Sequence, residues 1–277
     1  LVLIHGLNGQ SGYWKDNVIR LRANDPDDPD DQPTENCWVF NYRGTEDIPN
    51  CAYLLKLGIK EIRDFYDNRN KINLATHSYG GVVTRKYCVD YPGEAAMSVD
   101  NIIMFAPPHH GAYTAKRIFY RDWEALEERE WIFKDWCLDP NAPAYRDLTP
   151  GSENLMDMID ERFPEGISAC VIAGTDIIPI VGAFHDEAPD HQDSIVSISS
   201  ASLLPVGVPL GFMENNHENF RDDEDTAQVI AEFVKGNISS GEDEDYKVKY
   251  MIDDIFPREE SSDLPSYEED YPNTLFE

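Results

Sequence analysis

The sequence predicts an α/β fold in which a mostly parallel sheet is flanked by helices. Over the first 236 residues, short runs rich in Val, Ile and Leu alternate with amphipathic stretches. Strands and helices follow this order when helices cover both faces of a parallel sheet. At 277 residues, 41% of them hydrophobic, the chain is long enough to bury one large core. We therefore expect residues 1–236 to form one α/β domain.

Six apolar runs are candidate strands, and four stretches with 3.6-residue spacing are candidate helices. Continuous apolar runs of this kind are typical of strands that are buried on both faces. The predicted strands are Leu1–His5, Cys37–Tyr42, Lys71–Thr76, Asn101–Ala106, Ser168–Ala173 and Ile195–Ser199. The predicted helices are Ser11–Ala23, Cys51–Asn68, Gly81–Tyr91 and Asp222–Val234. Asp25–Pro33, with its repeated Asp and Pro, is predicted to be a solvated loop.

Two segments depart from this alternation. Residues 111–166 form an insertion in which aromatic and apolar residues such as Phe119, Trp123 and Phe133 fall near helical spacing. Two interpretations are open: a helical pair that packs on the sheet, or a cap or lid over a pocket. Residues 237–277 are acidic and contain several Pro and Ser, which predicts a poorly ordered tail.

The charge balance excludes several classes of partner. The chain has 53 acidic and 23 basic side chains, a net charge of −30, and the excess is spread along its length. Nucleic-acid binding needs clustered Lys and Arg, so we expect no nucleic-acid partner. No run of 18 apolar residues is present, so we expect no stable insertion into a membrane. A well-solvated surface and adaptation to high salt both explain the acidity, and the sequence does not separate them.

The five cysteines and the first residue give further expectations. The cysteines show no CxxC spacing, so we predict buried thiols and no metal site, with one disulfide left open. The chain begins at Leu1, directly on an apolar run. We expect that a preceding segment is missing, and for this reason no cellular location is predicted.

The clearest local signal is INLATHSYGGVV, residues 72–83. An apolar strand runs into a tight turn centred on Ser78, and a helix follows from Gly81. This arrangement, with small residues on both sides of the serine, is typical of a nucleophile elbow. Gly80 is the small residue on one side, whereas Thr76 stands where the G-x-S-x-G pattern has glycine. The strand before Ser78 and the Gly-Gly-Val-Val helix start after it favour a nucleophile over a purely structural turn. The N–H groups at the helix N-terminus would also stabilise developing negative charge.

With this turn in place, several segments together resemble the α/β-hydrolase superfamily, and within it the lipases and serine carboxylesterases. The resemblance covers about residues 1–236 and implies that superfamily's fold with a helical cap. The segments are LVLIHGLNG at the start, ATHSYGG at the elbow, APPHHGA from Ala106, DLTPGSENL from Asp147, DSIVSISSASL from Asp193 and NNHENF from Asn215.

The resemblance also implies a base and an acid for Ser78. A serine hydroxyl is a weak nucleophile until a base takes its proton. His217 lies late in the chain, in an Asn-rich loop before the last helix, where the superfamily's order of Ser, acid and His places the base. Asp193 is the expected acid, in a segment that matches apart from Ser194, where glycine is common. Asp176, after the fifth strand, is the alternative.

Other polar residues receive lesser roles. The main-chain N–H groups of Leu7 and Tyr79 are implied as the oxyanion hole. His5 is expected to brace the oxyanion loop, and the side chain of His77 to point away from the site. We expect His109 and His110 to lie near the pocket, and His185 and His191 to be solvated. The carboxylates of Asp186, Glu187 and Asp190 are predicted to be solvated loop charges, and a Ca²⁺ site formed by them is left open.

Together these features predict a serine hydrolase that cleaves carboxylic esters, with a hydrophobic acyl ester as its partner. No cofactor is expected, because the chemistry needs only the three side chains and two N–H groups. Acyl transfer to another alcohol and thioester hydrolysis on the same fold are the alternatives. A non-catalytic binding protein is the third. The sequence does not predict the oligomeric state.

Overall fold

The computed structural model describes residues 1–9, 11–22, 37–67, 70–120, 139–176 and 193–235. Within these ranges the strands are β1 (Val2–Ile4), β2 (Trp38–Phe40), β3 (Ile72–His77), β4 (Val99–Phe105), β5 (Ser168–Gly174) and β6 (Leu210–Met213). These six strands form one sheet in the order β2-β1-β3-β4-β5-β6, and every neighbouring pair is parallel. The predicted parallel sheet is confirmed.

Helices connect the strands, as the alternating pattern predicts. They are α1 (Lys15–Arg22), α2 (Ile48–Phe65), α3 (Tyr79–Asp90), α4 (Pro92–Ser98), α5 (Tyr113–Tyr120), α6 (Pro143–Asp147), α7 (Glu153–Met156), α8 (Ile198–Ala201) and α9 (Glu224–Val234). Short 3₁₀ turns span Ser11–Trp14, Leu204–Val206 and Asn219–Arg221. Helix α2 begins three residues earlier than predicted, because the Asp47 side chain caps it by accepting the Asn50 N–H.

Side chains on the two faces of the sheet enter two separate hydrophobic clusters. In β4, Ile102 and Met104 point into the cluster that contains α2 and α3 residues, whereas Ile103 and Phe105 point into the cluster that contains α9 residues. This alternation follows from the two-residue period of a strand. Both faces are therefore buried, which explains why the strands read as continuous apolar runs.

The sixth predicted strand, Ile195–Ser199, is wrong. The Asp193 carboxylate accepts the N–H groups of Ile195 and Val196 at 3.0 and 2.8 Å, and Ser197 caps the short helix α8. These side chains satisfy backbone groups locally and so compete with strand pairing. The sixth strand is instead β6, which sequence reasoning missed because it is four residues long and contains Gly211.

Several sequence-based predictions lie outside the described residues. They concern the Asp25–Pro33 loop, the centre of the insertion at 121–138, and the tail at 237–277. The described ends of the insertion contain helices α5, α6 and α7. In the part of the chain that the structure describes, no helix has the length and apolar character needed to cross a membrane. The thiols of Cys51, Cys88 and Cys170 are buried, as predicted, and Cys37 is half-buried.

Asp147 joins the insertion to the start of α2. Its carboxylate is almost fully buried, accepts the Ile48 N–H at 3.0 Å and pairs with Arg146 at 3.0 Å. We expect Asp147→Ala to lower the free energy of unfolding by about 1–3 kcal/mol, because it leaves a buried N–H without a partner. Urea unfolding monitored by circular dichroism measures this change. Asp147→Asn, which keeps an acceptor, is expected to lose less.

The exposed Asp157 supplies the control for this prediction. It lies 3.9 Å from Lys86 with 58% of its side chain exposed, so Asp157→Ala should change the free energy of unfolding by no more than about 0.5 kcal/mol. Equal losses for Asp147→Ala and Asp157→Ala would contradict the capping role of Asp147.

Candidate active site

Ser78 lies between strand β3 and helix α3, at the carboxyl edge of the sheet. Its backbone has φ 52° and ψ −126°, a conformation that residues other than glycine rarely adopt. The turn is closed by a hydrogen bond from Ser78 N–H to the Phe105 carbonyl at 2.8 Å. A Cβ on Gly80 would lie 2.6 Å from the His5 carbonyl oxygen, so only glycine lets the helix approach strand β1 this closely. The strained turn of a nucleophile elbow is therefore present.

The departure from the usual elbow pattern at Thr76 is accommodated by its neighbours. Thr76 is fully buried at the end of β3. A Cβ on Gly81 would lie 3.3 Å from the Thr76 hydroxyl oxygen and 2.7 Å from Pro107 Cβ. The absence of a side chain at Gly81 thus leaves the room that Thr76 fills.

The structure brings Ser78, His217 and Asp193 together in one line of hydrogen bonds. His217 Nε2 lies 2.9 Å from Ser78 Oγ, and His217 Nδ1 lies 2.8 Å from Asp193 Oδ2. All three side chains are buried. His217 follows β6 and Asp193 precedes α8, so residues 139 positions apart in the chain meet at the end of the sheet. The alternative acid, Asp176, is exposed at the surface just after β5.

The electrostatics of His217 are set by two opposing effects. Burial alone lowers the pKa of His217, but the Asp193 carboxylate, through its charge and its hydrogen bond, outweighs burial and the pKa is raised above 6.5. The Asp193 carboxylate is itself held by the N–H groups of Ile195 and Val196. The imidazole therefore carries its proton on Nδ1 when neutral, which leaves Nε2 as the acceptor facing Ser78.

The end of strand β1 faces the same site through Gly6 and Leu7. Tyr42 N–H points at His5 Nε2 at 3.4 Å, and His5 Nδ1 donates to the Gly6 carbonyl at 2.9 Å. The His5 ring stacks on the Tyr42 ring with centroids 4.4 Å apart. Because the described peptide bonds are all trans, the Gly6 carbonyl and the Leu7 N–H point in opposite directions. Because His5 holds the Gly6 carbonyl, it fixes the orientation of the Gly6–Leu7 peptide, and the Leu7 N–H therefore points away from the His5 ring.

A cavity of about 280 Å³ opens over Ser78. The surface that lines it is mostly apolar, and most of the lining residues come from the first loop, the insertion and the segment after Asp193. The residues are Gly6, Leu7, Asn8, Gly9, Tyr13, His77, Ser78, Pro108, Ala112, Thr114, Ala115, Ile118, Tyr145, Leu148, Ile195, Val196, His217, Glu218 and Arg221. An apolar cleft with a few convergent polar groups is the usual form of a small-ligand site.

The remaining histidines occupy different places. His109 and His110 are buried, and burial lowers the pKa of His110 to about 4. His110 Nε2 bonds the Ser202 carbonyl at 3.0 Å, which ties the segment after β4 to the segment after α8. His77 also lies at the cavity. The other candidates, His185, His191 and the loop carboxylates Asp186, Glu187 and Asp190, lie outside the described residues. Within the described ranges no cluster of three His, Cys, Asp or Glu residues could hold a metal ion.

Sequence reasoning missed most of the cavity wall. Tyr145 and Leu148 lie in and just after the five-residue helix α6, where no periodic pattern identifies a lining residue. Tyr13, in the first 3₁₀ turn, was likewise not predicted. Only contacts between segments that are distant in the chain identify these residues as part of the cavity wall. A local sequence pattern contains no information about such contacts.

Comparison with known structures identifies the class of fold. The chain matches a Bacillus licheniformis lipase in its mature form with a TM-score of 0.68 and 18% identity, over 84% of this chain and 90% of that chain. It matches phospholipase PlaB from Legionella pneumophila with a TM-score of 0.66 and 15% identity, over 92% of this chain and 62% of that chain. A metagenomic carboxyl esterase matches with a TM-score of 0.57 and 16% identity, over 86% and 76% of the two chains.

These matches, together with the parallel sheet and the strained turn at Ser78, show that the chain has the α/β-hydrolase fold, as the sequence motifs predicted. Residues 46–136 match the family described as the PGAP1-like alpha/beta domain. The matched range is about a third of the chain, and it runs from just before the start of α2 into the insertion. No curated protein sequence matches the chain.

Proposed function

We propose that this protein is a serine hydrolase that cleaves carboxylic esters through an acyl-enzyme. The observation that carries the proposal is the hydrogen-bonded line from Asp193 through His217 to Ser78, with Ser78 on a strained elbow. A buried serine, histidine and carboxylate in this order form the arrangement that turns a serine hydroxyl into a nucleophile. The names of the similar structures, a lipase, a phospholipase and a carboxyl esterase, support the same class of reaction.

The proposed reaction has two halves. His217 Nε2 takes the proton of Ser78 Oγ while that oxygen attacks the ester carbonyl, and Asp193 stabilises the imidazolium that forms. The tetrahedral intermediate collapses, the alkoxide leaves with the proton from His217, and the acyl group stays on Ser78. Water then loses a proton to His217 and attacks the acyl carbon, and the acid is released as Ser78 regains its proton.

The Leu7 and Tyr79 N–H groups are proposed to stabilise the oxyanion. Tyr79 is the first residue of α3, where N–H groups have no partner within the helix. Leu7 lines the cavity beside Ser78, and the His5 bond to Gly6 sets the direction of its N–H. Each such donor contributes about 2.7–4 kcal/mol of transition-state stabilisation in a serine hydrolase.

The cavity supports a hydrophobic acyl group as the recognised part of the substrate. Ile118, Leu148 and Val196 are buried apolar residues that line it. Burial of methylene groups against such side chains contributes about 0.8 kcal/mol each. We therefore propose that kcat/KM rises with acyl-chain length until the cavity is filled, and that residues 111–166 act as the cap of this pocket.

Hydrolysis of p-nitrophenyl acetate, butyrate, octanoate and palmitate, at low and at multimolar NaCl, tests the proposal. We expect release of nitrophenol with a preference for a longer chain than acetate. Labelling with a fluorophosphonate, followed by peptide mass spectrometry, should locate one adduct on Ser78. Thin-layer analysis of the acyl products distinguishes free acid from an ester formed with added alcohol.

Three outcomes would contradict the proposal. Folded protein that neither reacts with the fluorophosphonate nor releases nitrophenol favours the non-catalytic alternative. An acyl product that appears only with an added alcohol favours a transferase, and activity restricted to acyl thioesters favours a thioesterase.

A further inference from the structure

His77 precedes Ser78 at the end of β3, and its side chain does not point at the nucleophile. The expectation that this side chain points away from the site is wrong, because His77 lines the cavity and its ring contacts the ring of His217. The residue is almost fully buried, with 2% of its surface exposed. It lies between the rings of Tyr13 and His217, with centroids at 5.2 and 4.7 Å. The ring of His77 is thus in direct contact with the residue proposed as the base.

Two hydrogen bonds fix the state of the His77 ring. Nε2 lies 2.8 Å from the main-chain carbonyl oxygen of His217, and Nδ1 lies 2.7 Å from the Tyr13 hydroxyl. A carbonyl oxygen only accepts, so Nε2 must carry the hydrogen. Burial lowers the pKa of His77 well below 6.5, and burial raises the pKa of Tyr13 well above 10. The ring is therefore neutral, and its Nδ1 accepts the proton of the Tyr13 hydroxyl.

The backbone of His217 is consequently held on both sides. Its N–H donates to the Asp193 carbonyl at 2.9 Å, and its C=O accepts from His77 Nε2 at 2.8 Å. The side chain is held separately, by Asp193 Oδ2 and Ser78 Oγ. His77 and Ser78 are adjacent in the chain. The hydrogen bond from His77 Nε2 to the His217 carbonyl therefore connects the loop that carries His217 directly to the turn that carries Ser78.

We propose that His77 is a positioning residue. By donating to the main-chain carbonyl of His217, it keeps the His217 imidazole within hydrogen-bond distance of Ser78. This inference rests on the proposed function, because positioning is measured against the reaction that the two side chains perform. A displacement of about 1 Å between reacting groups lowers a rate by about 100-fold, so a single bond that limits such movement has a large effect on kcat. The neutral ring also adds no positive charge beside the imidazolium that His217 becomes.

Two amide substitutions at this position separate the proposed role from simple packing. In His77→Gln the side-chain amide nitrogen can reach the position of Nε2 and donate to the His217 carbonyl. In His77→Asn it reaches only the position of Nδ1. We expect His77→Asn to lower kcat about 100-fold with a change in KM below about 3-fold, and His77→Gln to stay within about 5-fold of the wild-type kcat.

His110 provides the matched control. It is also a buried histidine whose Nε2 bonds a main-chain carbonyl, that of Ser202, and it does not line the cavity. His110→Asn is therefore expected to lower the melting temperature without the selective loss of kcat. If His77→Asn fails to fold, Tyr13→Phe is the second variant. It removes only the hydroxyl that donates to His77 Nδ1 and so loosens the ring, and we expect kcat to fall about 3- to 10-fold.

A measurement that does not need turnover completes the test. Amide hydrogen exchange of His217, followed by NMR, should be faster in His77→Asn than in His77→Gln, because its N–H bond to Asp193 opens when the loop is released. Equal kcat and equal exchange for these two variants would overturn the inference. If the wild type hydrolyses no ester, the proposed function fails, whereas the exchange comparison still decides whether His77 holds the loop.

Discussion

Ser78→Ala is expected to lower kcat for p-nitrophenyl ester hydrolysis by about 10⁶-fold while the protein stays folded. The substitution removes the attacking oxygen but leaves the cavity, His217 and the N–H groups of Leu7 and Tyr79 in place. Substrate binding should therefore change little, so the effect falls on kcat and not on KM. Loss of the hydrogen bond to His217 should cost no more than about 1.5 kcal/mol of unfolding free energy.

Ser98 is a suitable control for this experiment. It is as buried as Ser78, at 7% exposure, and its hydroxyl accepts a hydrogen bond from Arg63 at 2.8 Å. It ends α4 and is not among the residues that line the cavity. Ser98→Ala should keep wild-type kcat. Near-wild-type hydrolysis by Ser78→Ala, or labelling by fluorophosphonate at another serine, would remove Ser78 from the mechanism.

Asp193→Asn is expected to lower kcat by about 10⁴-fold and to shift the pH profile. The amide can still accept the N–H groups of Ile195 and Val196, so the turn should persist. Its NH₂ group, however, would donate to His217 Nδ1 and place the imidazole proton on Nε2, where it blocks acceptance of the Ser78 proton. The charge that stabilises the imidazolium is also lost.

The sign of the pH shift follows from the causes that act on His217. Only the neutral imidazole accepts a proton, so kcat/KM of the wild type should fall as pH falls through the pKa of His217, which lies above 6.5. Asp193→Asn removes the larger effects that raise this pKa and leaves burial, which lowers it, opposed only by the smaller effect of the Glu218 charge. The midpoint of the acidic limb should therefore move to lower pH, as measured by pH–rate profiles of both proteins.

Asp176→Asn is the matched control, because Asp176 also follows a strand of the sheet and is the alternative acid that the sequence offered. It is exposed after β5, and we expect its substitution to leave both kcat and the acidic limb unchanged. A 10⁴-fold loss in Asp176→Asn, together with near-normal kcat in Asp193→Asn, would reverse the assignment of the acid.

The parts of this protein that sequence patterns predicted are those that depend on neighbours along the chain. Strands β1, β3, β4 and β5 appear within a few residues of their predicted positions, because strands buried on both faces need continuous apolar runs. The elbow at Ser78 was predictable for the same reason, since a strand, a serine between small residues and a helix follow one another directly. His217 and Asp193 were located by chain order and resemblance, and the His217 ring lies within hydrogen-bond distance of both Ser78 and Asp193.

The omissions arise where distant segments meet, whereas the wrong strand arises from local side-chain hydrogen bonds that its apolar composition does not show. Ile195–Ser199 has the composition of a strand, but local hydrogen bonds from Asp193 and Ser197 turn the chain, and the sheet continues with β6 instead. Nothing near His77 in the sequence indicates that its ring bonds a carbonyl 140 residues away. Apolar period and local turn chemistry are properties of consecutive residues, so they can be read from the chain. Three features depend on which distant surfaces pack together: the lining of the cavity, the hydrogen bond from His77 to the His217 carbonyl, and the identity of the edge strand β6. They are decided only when the whole chain folds.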